Sequence, residues 1–131
     1  MTEPEPHTEI PLLDKDQLQM LVDASGDESL DLFMEILELF EQESVVKLKE
    51  LRSLREAGSF DLMGRSAHAL AGSSANVGGL EVWKKAKKIE NLCKISCGEE
   101  AAACLDDLEL SYKKTLVALR EFARTGNLES C

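Results

Sequence analysis

Hydrophobic positions recur along this chain with the spacing of helices, and no strand alternation interrupts them. A short helix is expected over about 14–24, capped by Asp14 and carrying Leu18, Leu21 and Val22 as its apolar side. Ser25-Gly26-Asp27 reads as a turn. A long helix follows over about 28–57. Its stripe runs Leu30, Phe33, Leu37, Phe40, Ser44, Leu48, Leu51, in steps of three and four. A second apolar line, Leu32, Ile36 and Leu39, lies well round the cylinder from the first, with Asp31, Glu35 and Glu38 on a wet acidic face. That second line reads two ways: covered in part by the short first helix, or left open for a partner. Ala57-Gly58-Ser59 ends the long helix, and a third runs over about 60–77 to a stop at Gly78-Gly79. A fourth covers about 80–97 on Val82, Trp83, Ala86, Ile89 and Cys93, and Gly98 ends it. A fifth covers about 99–124 on Cys104, Leu105, Leu108, Tyr112, Leu116, Leu119 and Phe122. Short connections make consecutive helices antiparallel neighbours. The expectation is an all-α, up-down four-helix bundle with a short additional N-terminal helix. It occupies 12–124, between an acidic tail at 1–11 and a frayed end at 125–131.

Composition narrows this picture. A chain of 131 residues suits one domain, and 44% hydrophobic with 31% charged residues is a soluble globular balance. Aromatics at 5% are too few for a sandwich or barrel. The net charge of −10 argues against nucleic acid and anionic membranes as partners. The first 11 residues lack the apolar core of a secretory signal, and no apolar run approaches the roughly 20 residues that span a bilayer. His7, in the acidic tail, reads as a solvated residue. Cys93, Cys97, Cys104 and Cys131 form no CxxC pair and have no His nearby, so they read as reduced thiols of a cytoplasmic protein, some of them in the core. A di-iron bundle also fails, because the chain has two His and no Glu-x-x-His pair.

The third helix breaks local rules. On a wheel, Leu62, Ser66, Ala69, Leu70, Ser73 and Val77 gather on one side, which predicts the core face. His68 points nearly the opposite way. Its helical neighbours are Gly64, Arg65, Ala71, Gly72 and Ala75. Gly64 and Gly72 inside a helix each cost about 1 kcal/mol relative to Ala. The plain reading is a stray surface His, or a small-residue face buried by another helix. The functional reading is a His on a bare surface that another protein approaches closely. Rule-breaking without structural gain favours the second.

The run His68-Ala69-Leu70-Ala71-Gly72-Ser73-Ser74-Ala75-Asn76-Val77-Gly78 resembles the HxLKGSSxxxG signature of histidine-containing phosphotransfer (HPt) domains. Ile89-Glu90-Asn91-Leu92 falls at the family's usual distance, and with the bundle topology the likeness covers about 28–122. The resemblance implies a phosphoryl carrier in two-component signalling, not a self-sufficient enzyme. His68 would take a phosphoryl group from an aspartyl phosphate on a receiver domain and pass it to another receiver. Gly72 would permit close approach, and Ser73 or Ser74 would bond a helix carbonyl or the His ring. The domain would need no cofactor, since Mg²⁺ belongs to the partner receiver. Expected partners are receivers of response regulators or hybrid histidine kinases, met by a monomer through Leu32, Ile36 and Leu39 with Gly64, Ala71 and Ala75. A non-phosphorylated helical adaptor is the competing expectation.

Two departures bear on the chemistry. The family's Lys three residues after the His is Ala71 here, and Arg65 at i−3 is the substitute on the same face. Glu90 stands where a polar or basic residue is usual, bracketed by Lys87 and Lys94 at i−3 and i+4, so it has cations within pairing range. Lys84, Lys85, Lys87, Lys88 and Lys94 make the one basic block of an acidic chain. They read either as a solvated helix face or as an edge that neutralises phosphate.

Overall fold

The computed structural model describes residues 11–25 and 30–126, and these are all-helical apart from short connections. The elements are α1 (Lys15–Ser25), α2 (Asp31–Ala57), α3 (Phe60–Asn76), α4 (Leu80–Lys94), α5 (Gly98–Ala103) and α6 (Leu105–Thr125). α3 packs on α2 and α4, and α6 packs on the same two helices, which closes a four-helix bundle. Of the expected tails at 1–11 and 125–131, residues 1–10 with His7 and 127–131 with Cys131 lie outside the described residues, as do 26–29 around the expected turn, while Thr125 still belongs to α6.

The amphipathic stripes of α2 and α6 become the core. Phe33, Leu37, Phe40, Leu48 and Leu51 of α2 are buried with Leu105, Leu108, Tyr112, Leu116, Leu119 and Phe122 of α6. Phe33 meets Phe122 edge to face, with ring centroids 5.3 Å apart. Ser44 interrupts the apolar stripe without being orphaned. Its hydroxyl donates to the Phe40 carbonyl (2.6 Å) and shares a hydrogen bond with the Tyr112 hydroxyl (2.7 Å).

The ends of the helices follow their expected stops, with two corrections. The Asp14 carboxylate accepts from the Gln17 amide (3.1 Å), as the cap of α1 requires. Leu18 then packs on the α3–α4 turn at Gly78, and the Asp14 amide donates to the Gly78 carbonyl (2.8 Å). Gly78 takes a left-handed φ of 83°, and a Cβ there would stand 3.0 Å from Leu18. α4 stops at Lys94, three residues short of expectation. Ser96 turns left-handed (φ 63°), and the Cys97 amide reaches back to the Leu92 carbonyl at 2.8 Å. With the Ile95 amide on the Asn91 carbonyl and the Ser96 amide on the Cys93 carbonyl, this return bond satisfies the last turn of α4 as the chain reverses. The expected fifth helix is two helices. Cys104 breaks it, its amide bonding the Ala101 carbonyl (3.0 Å) three residues back instead of four.

The buried face of α3 also differs from the wheel reading. Leu62 is 51% exposed, Ala69 is exposed and Ser73 is half-buried. The packed face is Met63, Gly64, Ser66, Ala67, Leu70, Ala71, Ser74 and Val77. α3 lies between two neighbours, so its buried arc is wide, and its small residues let α4 come close. A Cβ on Gly64 would stand 3.0 Å from Cys93 Cβ. Gly64 and Ala71 are therefore packing residues, not part of an open docking face, which corrects the expectation for both. Gly72 has open space where a Cβ would go. A matched pair tests the distinction. Gly72→Ala is expected to stabilise by up to about 1 kcal/mol through helix propensity. Gly64→Ala loses that gain to crowding against Cys93, and a methyl forced into a packed site costs about 1–3 kcal/mol. Urea unfolding that ranks Gly64→Ala at or above Gly72→Ala would contradict this assignment.

Candidate functional site

His68 sits in mid-α3 at the seam with α4, its side chain 68% exposed. Opposite it, α4 turns Glu90 inward. Val82, Ala86, Ile89 and Cys93 form the buried stripe of α4, and Glu90 follows Ile89 on the flank that meets α3. Only 3% of Glu90 is exposed. A buried carboxylate is costly unless it is paired. Three groups pair it here. His68 Nδ1 lies 2.9 Å from Glu90 Oε2, Lys94 Nζ lies 3.2 Å from the same oxygen, and Lys87 Nζ stands 3.0 Å from Oε1. The Lys87 contact is a charge pair and not an aligned hydrogen bond. Burial pushes the Glu90 carboxyl up, but Lys87, Lys94 and His68 outweigh it and hold the carboxyl at about 2.

This geometry sets the chemistry of the imidazole. An ionised carboxylate only accepts hydrogen bonds. His68 Nδ1 must therefore carry the hydrogen and donate it to Oε2. In the neutral ring the lone pair then belongs to Nε2, on the side away from Glu90. The result is a nucleophilic nitrogen facing out, on a ring oriented from behind. Two ammonium groups against one carboxylate leave a net positive charge beside it, suited to an incoming anion.

A depression of about 510 Å³ opens at this point, lined by Asp61, Gly64, Arg65, His68, Glu90, Cys93 and Lys94. Arg65 and Lys94 line it with His68, whereas Lys87 reaches the site through Glu90. Gly72 lies exposed on the next turn. The structure does not bring Ser73 to the ring. Its hydroxyl donates to the Leu70 carbonyl (3.2 Å), and it lines a groove toward α2 with Gln42, Val46 and Ala69. Ser74 is buried. Ala75 is half-buried beside Trp83 and Leu80, toward α1. Along α2, Leu32 and Leu39 are 46% and 59% exposed, whereas Ile36 is partly buried against the core. The open reading of this line therefore holds for its two ends. Val46, 54% exposed, extends it toward Leu62 and Arg65 across the α2–α3 groove.

Glu90 as the hydrogen-bond partner of His68 is the one role that sequence reasoning missed. Its signal was present in the bracketing lysines and in its place next to Ile89. Among the described residues, no cluster of three His, Cys, Asp or Glu is arranged to hold a metal, and no helix is long and apolar enough to cross a membrane.

The structure thus presents an exposed, oriented His on a four-helix bundle, and comparison with known proteins gives its family. Residues 35–123 match the Hpt domain model, and the chain belongs to the Hpt domain family. It is 29% identical over 109 residues to histidine-containing phosphotransfer protein 2 of Arabidopsis thaliana, covering 81% of this chain and 70% of that protein. Its structure is similar to histidine-containing phosphotransfer protein MtHPt2 from Medicago truncatula (TM-score 0.72, 27% identity, 88% of this chain and 84% of that one). Histidine-containing phosphotransfer protein B from Pseudomonas aeruginosa PAO1 shares the fold at TM-score 0.73, with 21% identity over 88% of this chain and 97% of that one. The family supports a His-phosphotransfer role in two-component signalling.

Proposed function

We propose that this protein is a phosphorelay intermediate. It accepts a phosphoryl group on His68 from the aspartyl phosphate of one receiver domain and passes it to the aspartate of another. The observation that carries this reading is the contact between His68 Nδ1 and Glu90 Oε2 at 2.9 Å, which leaves Nε2 as the exposed nucleophile. The Nε2 lone pair attacks phosphorus, and the acyl phosphate bond breaks with its electron pair going to the receiver carboxylate. Transfer onward reverses these steps. Positioning and charge neutralisation are most of the catalysis in phosphoryl transfer. The receiver brings Mg²⁺, and this chain brings the oriented ring with Lys94, Lys87 and Arg65 beside it. The carrier acts as a monomer in the cytoplasm and holds no metal of its own. Its docking face takes in Leu32, Leu39 and Gly72 and meets the receiver's acidic pocket through the basic edge of α4.

The test is to mix the protein with a phosphorylated receiver and assay for an acid-labile, base-stable phosphoryl group. Uptake is expected. Failure to take any, under conditions that load a control Hpt domain, would leave the adaptor reading in its place. Docking has its own expected result. Gly72→Ala, although it stabilises the helix, slows transfer several-fold by raising a methyl between the two proteins. An unchanged transfer rate would remove Gly72 from the contact.

A further inference from the structure

We propose that Glu90 is a positioning residue that keeps a proton on His68 Nδ1 through the whole phosphoryl cycle, so that the phosphohistidine is held in its protonated, transfer-ready form. This rests on the phosphotransfer reading and deepens it. In the nucleophilic, neutral form of the ring the hydrogen sits on Nδ1, bonded to Glu90 Oε2 at 2.9 Å. Attack by Nε2 forms the N–P bond, and the donor oxygen leaves with its electron pair. The ring is now an imidazolium that still bears Nδ1–H. In water such a ring readily loses that proton near neutral pH. A deprotonated phosphoimidazole is a poor donor, because breaking N–P would then expel an imidazolate anion. With Nδ1–H retained, the N–P electron pair returns to Nε2 and neutral imidazole leaves. Neither direction then requires a proton from solvent.

The groups facing the ring support retention. Glu90 is the anion against Nδ1, and its burial keeps water from competing for that proton. Lys87 and Lys94 of α4 stand on the carboxylate and keep it ionised, so it remains an acceptor. Asp61 and Arg65 of α3 line the same depression. They carry opposite charges and roughly cancel at the ring. The phosphoryl dianion on Nε2 further favours the cationic ring. Cys93, also on the lining, is a buried thiol pushed up by burial and takes no part in proton exchange.

The experiment uses the full chain, wild type and Glu90→Gln, each loaded with phosphoramidate so that loading is independent of any receiver. Gln keeps the size and turns either its oxygen or its NH₂ toward Nδ1, so it no longer favours the protonated ring. Two readouts are taken: imidazole ¹⁵N shifts of the phosphorylated proteins, and rates of hydrolysis and onward transfer against pH. The wild-type ring is expected to keep Nδ1–H, with rates that change less than about twofold between about pH 6.5 and about pH 8.5. In Glu90→Gln the rate is expected to fall by up to about tenfold per pH unit at the upper end, as Nδ1 loses its proton. Superimposable profiles, or a wild-type phosphohistidine without Nδ1–H at neutral pH, would overturn the proposal. If Glu90→Gln does not fold, the wild-type ¹⁵N signature decides alone. If a receiver takes nothing from loaded wild type while the two hydrolysis profiles stay apart, the relay reading fails and the role of Glu90 stands.

Discussion

Replacing His68 with Gln is expected to abolish phosphoryl uptake from a receiver, a loss of at least about a thousandfold, because His68 is the nucleophile of the proposed covalent step. The fold is expected to survive. The His68 side chain is 68% exposed, so it contributes little buried area. The one interaction at stake is its bond to Glu90, and the amide NH₂ of Gln can donate to the same oxygen. A lost or weakened hydrogen bond of this kind is worth about 0.5–1.5 kcal/mol. Lys87 and Lys94 also stay on the carboxylate, so no bare charge is created. The measurement is acid-labile, base-stable phosphate in wild type and variant, with urea unfolding alongside. Uptake by His68→Gln at the wild-type rate would move the site elsewhere. Loss of uptake together with loss of folding would show that His68 is structural. The structure argues against that second outcome, because the ring rests on the bundle and not within it.

The parts of this structure that were legible in the sequence are those whose pattern has a single cause. In α2 and α6 each apolar stripe faces one core, so Phe33, Leu37, Phe40 and Leu48, and Leu108, Tyr112, Leu119 and Phe122, could be read off in steps of three and four. α3 packs against α2 and α4, as α6 does, but α4 comes far closer to it, and its buried line of Met63, Ala67, Leu70, Ser74 and Val77 is weakly apolar. An exposed Leu62 looked more like core than Ala67 or Ser74 did. That exchange rotated the wheel and placed Gly64 and Ala71 in the open, when they are where α4 comes closest. His68 was legible because glycines flank it at i−4 and i+4; the structure gives Gly64 a packing reason against Cys93 and leaves Gly72 without one. Glu90 was harder. Charge reads as surface, and a buried carboxylate becomes sensible only when cations are already arranged for it. Those cations were visible at i−3 and i+4. What spacing alone could not supply was that α3 and α4 approach closely enough for an imidazole to complete the set.

The same cluster is expected to make stability depend on pH below the physiological range. Glu90 titrates at about 2 in the folded protein, against an ordinary carboxyl near 4.5. A depressed carboxyl stabilises the fold above its unfolded value, and that contribution disappears as pH falls from about 4.5 through about 2. At 1.36 kcal/mol per pH unit the full difference would be about 3 kcal/mol. Lys94 is largely exposed, so solvent screening trims this toward about 2 kcal/mol. Other carboxylates are ion-paired as well, among them Glu109 with Arg52 and Glu41 with Arg120. The informative quantity is therefore the stability of wild type minus that of Glu90→Gln, compared at about pH 7 and about pH 2. Gln removes the charge without removing the side chain, so the common acid effects cancel. The wild-type advantage is expected to shrink by about 2 kcal/mol on acidification, and by less at high salt, where the lysine pairs are screened. Two curves that fall in parallel would mean that the carboxylate gains nothing from Lys87, Lys94 and His68. A separation that closes only below about pH 4.5 would place the ionised state well below neutrality. Glu90 would then be an anion wherever His68 is neutral enough to act as a nucleophile, which is the condition that an outward-facing Nε2 requires.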